Sequence, residues 1–233
     1  MTELDRVGSP LLSVDHFLIA CADLAEGCAY LESLFGCCPQ VGGAHPGMGT
    51  RNALLALENN VYIEVIAPDP QQPGNMPFRN YLYDVSQPSL MWWSIRCENL
   101  DALQALAQQC GVEACMRQPG SRTTPDGQEL EWDLLLADQP QLGALMPFYI
   151  HWRQMELHPS RAAPLAGELL EVELQHRGDS IAGLLPSGVN ERPQSTELGM
   201  RAVFKAAGKT VSLQSPDEFA PAIVRIMMDA DVA

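Results

Sequence analysis

Two stretches of this chain follow one pattern, and a repeat of that length restricts the folds open to it more than any other feature. His16-Phe-Leu-Ile-Ala-Cys21 and the amphipathic segment running on to Gly36 are echoed by Trp92-Trp-Ser-Ile-Arg-Cys97 and the segment running on to Gly111. At an offset of 76, Ile19 matches Ile95, Cys21 matches Cys97, Leu24 matches Leu100 and Ala29 matches Ala105. Further on, Leu54-Leu-Ala-Leu57 corresponds to Leu134-Leu-Leu-Ala137 at an offset of 80, and Tyr62-Ile-Glu64 to Tyr149-Ile-His151 at an offset of 87. Self-similarity of this kind predicts two like units packed on each other. Units that face each other enclose a cleft lined by equivalent positions: His16 and Glu64 in the first copy, Trp92 and His151 in the second.

Within the first copy, residues 11–21 read as a strand bounded by Pro10 and Asp23. Asp23 offers a helix N-cap with Glu26 three residues on, and Leu24, Cys28, Leu31 and Phe35 share a helical face that Gly36 ends. A glycine-rich loop is expected over residues 42–49, then strands over 51–58 and 61–67. Asn59-Asn60 joins these strands, because asparagine tolerates the positive φ of a tight turn. That hairpin sets Tyr62, Glu64 and Ile66 on one face. Four prolines between positions 68 and 77, with Gly74, mark the crossover to the second copy.

The second copy repeats the order: a strand over 90–97, Asn99 as cap, Leu100, Leu103, Ala107 and Cys110 as the helix face, and a turn at Asp126-Gly127 between strands. The remaining strands are expected over 129–137 and 144–152. Each copy is β-α-β-β with room for one more strand after its helix. Expected units are a first βαβββ module over residues 11–78, a second over 88–156 and a C-terminal α/β segment over 160–233, which is open to being a degenerate third module. In that segment the pattern predicts a strand over 169–176, a short helix over 179–185, a hairpin of 201–204 with 210–213 around Gly208-Lys209, and a closing helix over 221–228. The fold class is α+β.

Composition narrows the partners. At 233 residues the chain can bury a substantial core, and 46% hydrophobic with 18% charged residues is ordinary for a globular protein. No apolar run approaches the roughly 20 residues that span a bilayer, and Glu3 and Asp5 stand where a secretory leader carries basic and apolar residues. The expectation is a cytoplasmic protein without membrane contact. Fourteen basic against 29 acidic residues give a net charge of −15, which repels phosphate backbones and argues against a nucleic-acid partner. The seven cysteines lack CxxC spacing, so neither a zinc ribbon nor a disulfide framework is indicated, and Cys37-Cys38 reads as reduced thiols at a helix end.

The motifs Val14-Asp-His16, His45-Pro-Gly-Met-Gly-Thr-Arg-Asn52, Tyr62-Ile-Glu-Val65 and Phe148-Tyr-Ile-His-Trp152 sit within this duplication. Together they resemble the bacterial glyoxalase-like domain family of the vicinal-oxygen-chelate superfamily, which includes glyoxalase I, extradiol dioxygenases and bleomycin-resistance proteins. The resemblance covers about residues 11–155 and implies paired βαβββ modules around a cleft. It also implies metal ligands on the first and last strand of each copy, which here are His16, Glu64, Trp92 and His151. Tryptophan cannot ligate, so the implied set is His16, Glu64 and His151, suited to Fe, Mn, Ni, Co or Zn, with Glu64 also able to act as catalytic base. Taken alone, His16 and His151 each read first as hydrogen-bonded groups and Glu64 as a paired carboxylate; it is the trio at repeat-equivalent positions that points to a metal.

Further candidates concern substrate. Arg51 could hold a carboxylate bidentately beside Asn52, Trp92 and Trp132 could form an aromatic wall, and His45 in the Gly-Pro loop could act as a lid or proton-transfer group. His158 and His176 lie outside the repeat and receive no role. Two functions follow from the resemblance. One is a metal-dependent lyase, isomerase or dioxygenase acting on a small oxygenated substrate. The other is a metal-free protein that binds and sequesters a small molecule. A homodimer is compatible with either.

Overall fold

The two copies meet along their first strands. β1 (Leu12–Ala20) runs antiparallel to β5 (Ser89–Cys97), with Phe17 opposite Trp93, His16 opposite Ser94 and Leu18 opposite Trp92. Phe17 and Trp93 are the same position at the offset of 76, so each pairs with its own copy. A register of this kind is a local twofold axis, and it sets His16 and Trp92 as counterparts across it.

The structure, a computed structural model, describes residues 10–112, 114–124, 126–215 and 227. After β1, Asp23 caps helix α1 (Leu24–Phe35) by accepting from Ala25 N and Glu26 N, and Gly36 ends it at φ 71°, where a Cβ would be strained. β2 (Gln40–His45), β3 (Thr50–Leu57) and β4 (Val61–Pro68) complete the first unit. The expected loop over 42–49 is therefore shorter, because Gln40–His45 pairs with β3 and fills the vacant strand position. Asn59 and Asn60 turn the β3–β4 hairpin at φ 61° and 56°.

Helix α2 (Pro77–Tyr83) interrupts the proline-rich crossover. Pro77 stands in its first turn, where the missing N–H costs nothing, and Phe78 and Leu82 are buried, so packing supplies what the local sequence lacked. The second unit follows as β5, α3 (Leu100–Gln109), β6 (Ala114–Thr123), β7 (Glu129–Asp138) and β8 (Phe148–Trp152). Asn99 caps α3 through Ala102 N. β8 begins four residues later than the expected position 144, because Gly143–Leu145 coils into a 3-10 turn with Gly143 at φ 55°.

Among the described residues the strands form one sheet. Its order is β12-β11-β9-β3-β4-β1-β5-β8-β7-β6, with β2 on β3 and β10 on β9; β9 is Leu165–Gln175, β10 Val189–Arg192, β11 Gly199–Ala206 and β12 Lys209–Gln214. β9 starts earlier than expected because Leu165 and Gly167 pair with Ala56 and Leu57 at the end of β3. The predicted helix over 179–185 reduces to one 3-10 turn, Ala182–Leu184. The β11–β12 turn lies at Ala207-Gly208, one residue before the predicted position, with φ 47° and 77° as a two-residue hairpin turn requires. The predicted helix over 221–228 lies outside the described residues apart from Met227.

Edge-to-face rings join the C-terminal strands to the first unit: Phe204 lies 5.6 Å from Phe17 and 5.5 Å from Phe35. All three side chains are buried, and each such pair contributes about 1 kcal/mol beyond the apolar area it removes from water. On the other face of the central strands, the sheet curls until β2 and β6 meet, where Arg122 Nη1 donates to Gly42 O at 2.8 Å. Between those edges and the β1–β5 seam lies a cavity. Among the described residues no helix is long and apolar enough to cross a membrane.

Candidate functional site

The polar wall of the cavity starts from an irregularity in β1. The β1–β5 register slips between Val14 and His16, leaving Asp15 as an extra residue in the strand. A bulge of this type re-aims a side chain, and here Asp15 and His16 reach the same side instead of alternating. Asp15 is fully buried and accepts four hydrogen bonds: from His16 Nδ1 at 2.7 Å, Trp152 Nε1 at 3.1 Å, His158 Nε2 at 3.2 Å and Arg96 Nη1 at 3.3 Å. Burial alone would raise its pKa, but the hydrogen bonds and charges of His158 and His16 hold its carboxyl well below the usual carboxylate range. Asp15 is thus an anion that fixes what surrounds it.

Ser160 N donates to Nδ1 of His158, so the hydrogen of that ring sits on Nε2 and points at Asp15. For His16, the bond to Asp15 places a hydrogen on Nδ1 and leaves Nε2 facing the cavity. The ring is held on both sides, stacked on Tyr62 at 4.5 Å and 18° and edge-on to Phe148 at 5.3 Å. Nε2 lies 3.7 Å from Glu64 Oε2, too far for a hydrogen bond. Neither atom consumes the other, and both remain available to a guest.

Glu64 is positioned from the other side. Asn52 Nδ2 donates to Glu64 Oε1 at 2.8 Å and lies 3.2 Å from His45 Nε2, while His45 Nδ1 lies 2.8 Å from Thr50 Oγ1. An amide nitrogen has only hydrogens to offer, so Nε2 of His45 accepts and Nδ1 carries the hydrogen. Burial holds the His45 pKa below its ordinary value, with Arg122 and His16 adding to the effect and Glu64 opposing it. The ring is neutral, as its hydrogen bonds require. Gly42 makes room for this arrangement: a Cβ there would come within 2.3 Å of Asn52 Oδ1.

The cavity measures about 90 Å³. Its polar lining is His16, His45, Asn52, Tyr62, Glu64 and Arg122, and its apolar lining includes Trp92, Trp132, Phe148, Ile150, Trp152 and Leu134. Trp92 donates Nε1 to Met146 O at 2.7 Å and packs on Phe148 at 4.6 Å. Its polar atom is satisfied inside the wall, so the cavity sees a hydrocarbon surface. Trp132 stands edge-on to Trp152 at 5.4 Å. Trp132 also approaches His45, with ring centroids 6.5 Å apart.

Of the residues expected from sequence, His16, His45, Asn52, Glu64, Trp92 and Trp132 line one cavity. His151 and Arg51 do not. On β8 the cavity face carries Phe148, Ile150 and Trp152, so His151, one residue out of phase, projects from the opposite face. There its Nδ1 meets Cys97 O at 3.2 Å and it lies opposite Asp133. The match at 87 exchanged the faces, because an odd change of register turns every side chain over. Arg51 fails for the same reason: Asn52 takes the cavity side of β3 and Arg51 the other.

Four functional-wall residues carried no expectation. Asp15 was concealed by the bulge, His158 lies beyond the repeat, and Arg122 and Trp152 are brought in by sheet closure and by β8. The Asp15-His16 dipeptide was the one available local signal.

A divalent ion would need donors that converge. His151 is on the far face, Trp92 offers no donor, and the Asn52 amide already occupies the space between Glu64 Oε1 and His45 Nε2. Among the described residues no three His, Cys, Asp or Glu side chains are grouped to hold a metal ion. His16 Nε2 and Glu64 Oε2 remain, and two donors do not fit a resident ion of the kind the resemblance implied.

In fold, the chain is similar to a hypothetical protein from Staphylococcus aureus, 14% identical over 88% of this chain and 85% of that chain, with a TM-score of 0.57. It is also similar to methylmalonyl-CoA epimerase from Streptomyces coelicolor in complex with 2-nitronate-propionyl-CoA (15% identity, 62% of this chain and 99% of that chain, TM-score 0.46). The epimerase from Mycobacterium tuberculosis gives 20% identity over 63% of this chain and 91% of that chain, with a TM-score of 0.44. No curated protein matches the chain. Residues 14–185 match the family model described as a glyoxalase-like domain, which is most of the chain. With the duplicated units joined through β1 and β5 around one cavity, the chain belongs to the glyoxalase-like domain family and has the vicinal-oxygen-chelate fold.

Proposed function

We propose that this protein is an enzyme that moves a proton on a small oxygenated substrate, as an isomerase or lyase does, with His16 as the acid–base group. The observation that carries this reading is the Asp15–His16 pair, 2.7 Å apart and buried, with the free Nε2 facing Glu64 Oε2 across 3.7 Å. In the proposed step, Nε2 takes a proton from a carbon next to a carbonyl, and the electron pair passes into the carbonyl to give an enolate. The resulting imidazolium lies between two carboxylates, Asp15 and Glu64, which stabilise its charge. Returning the proton to carbon or oxygen completes an isomerisation. Trp92 and Trp132 form an apolar wall that strengthens these charge interactions.

The test is carbon–hydrogen exchange in deuterium oxide, followed by proton NMR, on butanone, hydroxyacetone and 2-oxobutyrate. We expect exchange above the buffer rate for at least one of these, and about a hundredfold loss in His16→Gln. Exchange that is absent throughout, or unchanged in the variant, rejects the reading. Ligand quenching of tryptophan fluorescence without any exchange would favour a binding protein, for which the aromatic lining is the supporting observation.

A further inference from the structure

Among the described residues Arg122 is the one cation in the cavity lining, and no carboxylate among them pairs with it. It is 5% exposed, and its single hydrogen bond among the described residues is from Nη1 to Gly42 O. None of the ion pairs among the described residues includes it. Glu64, the nearest acid in role, is engaged by Asn52 at Oε1 and faces His16 at Oε2. A guanidinium withdrawn from water without a counter-charge is destabilising, and buried arginines are accordingly found paired. Closing the β2–β6 edge requires one donor, which an uncharged side chain could supply. The planar fork of five N–H groups exceeds that need.

The position of Arg122 is equally informative. The residue lines both the cavity and the groove that opens beside it, and Leu54 and Pro159 share this double role. It therefore stands between the groove and the apolar interior of the cavity. The cavity that Arg122 faces is walled by Trp132, Leu134 and Phe148 and also contains His16.

We propose that Arg122 is the counter-ion of a substrate carboxylate, so that the molecule taken by this site is a small monocarboxylate whose apolar body enters the cavity. This deepens the proton-transfer reading, on which the assignment of the molecule as a substrate rests. The carboxylate completes the guanidinium through paired N–H···O bonds. The cavity of about 90 Å³ is lined mainly by apolar side chains and suits a short aliphatic body, for which butyrate is the probe. With 29 acidic against 14 basic residues the net field of the chain opposes an anion, and a cation in the cavity lining offsets it locally.

The experiment measures binding apart from chemistry. Butyrate and its neutral isostere butyramide are titrated while tryptophan fluorescence is followed, since Trp92, Trp132 and Trp152 line the cavity. We expect butyrate to bind at least about tenfold more tightly than butyramide in the wild type, and Arg122→Met to remove that preference while leaving butyramide affinity in place. Arg122→Lys, which keeps charge and a donor for Gly42 O but loses the fork, should fall between them, and it covers the case in which the methionine variant does not fold. Equal binding of the two ligands to wild type, no butyrate binding at all, an undiminished preference in a folded Arg122→Met, or, where that variant does not fold, an undiminished preference in Arg122→Lys overturns the proposal. His16→Gln separates the two readings: it should retain the butyrate preference whether or not the protein catalyses exchange.

Discussion

The Asp15→Asn exchange tests the polar wall most sharply, since it alters charge with almost no change in volume. Asp15 Oδ2 accepts from Trp152, His158 and Arg96, and Oδ1 from His16. Asparagine has one acceptor oxygen, which three donors would claim, so its amide nitrogen turns toward His16 Nδ1. The three retained bonds become bonds to a neutral acceptor. Bonds to a charged partner contribute about 1.5–3 kcal/mol and neutral ones about 0.5–1.5 kcal/mol, so each loses about 1 kcal/mol and the total is about 3 kcal/mol. That agrees with the range for removing one member of a buried charged cluster. For a chain of 233 residues the midpoint of thermal unfolding should fall by about 6–12 °C.

The chemistry should fall further than the stability. Facing an amide nitrogen, His16 Nδ1 can only accept, so its hydrogen moves to Nε2 and the proposed base is lost. Carbon–hydrogen exchange should drop at least about a hundredfold. Nitrogen NMR of the imidazole reads the tautomer directly, and calorimetry reads the stability. The sign with pH is also determined. Asp15 has a folded pKa below its ordinary 3.8, so its contribution is complete above 3.8 and drains as pH falls beneath it. Wild type and variant should therefore converge in stability in acid. A variant that kept the Nδ1–H tautomer, or lost under about 1 kcal/mol, would refute the role given to Asp15.

Three further outcomes follow from the same site. Gly42→Ala places a Cβ within 2.3 Å of Asn52 Oδ1 and 3.0 Å of Leu54 Cδ1, so denaturant unfolding should show a loss of about 1–3 kcal/mol, and exchange should slow as Asn52 leaves Glu64. His45 has a folded pKa below 6.5, so the unfolded chain binds the proton first and stability should rise with pH in the window just below 6.5. His45→Gln should abolish that slope in unfolding curves taken at intervals across the window. Incubation with Fe(II), Mn, Ni, Co or Zn followed by desalting should leave well under one ion per chain by elemental analysis; stoichiometric retention would contradict the donor geometry.

What could be read from the sequence, and what could not, follows from the range of the interactions involved. Helix ends were legible because Asp23, Gly36 and Asn99 act on backbone groups within a few residues. The β3–β4 turn was legible because Asn59 and Asn60 tolerate positive φ themselves. The equivalence of His16 and Trp92 was legible from a clean offset, whereas the pairing of β1 with β5 at Phe17 and Trp93 is set by contacts between the units that no local pattern records. α2 was hidden because proline at the first turn reads as a breaker until Phe78 and Leu82 find a core. The facing of β8 was hidden for a different reason. Four of its five residues are buried, so no polar alternation marks the cavity side, and the letter match Tyr-Ile then overrode the phase.

The same phase explains why the site is one-sided. His16 and Trp92 are counterparts across the β1–β5 axis, so two equal units would place two like groups face to face. Here the first unit keeps an imidazole and a carboxylate, and the bulge at Asp15 adds the anion that orients the imidazole. The second unit meets them with an indole whose N–H is spent on Met146 O, and with Phe148 and Ile150 where a ligand strand would carry a donor. Its polar contribution comes from β6, as Arg122. A substrate chelated symmetrically by both units has no counterpart in this arrangement. The substrate proposed above, anchored by charge at Arg122 and presented to a single acid–base face, does.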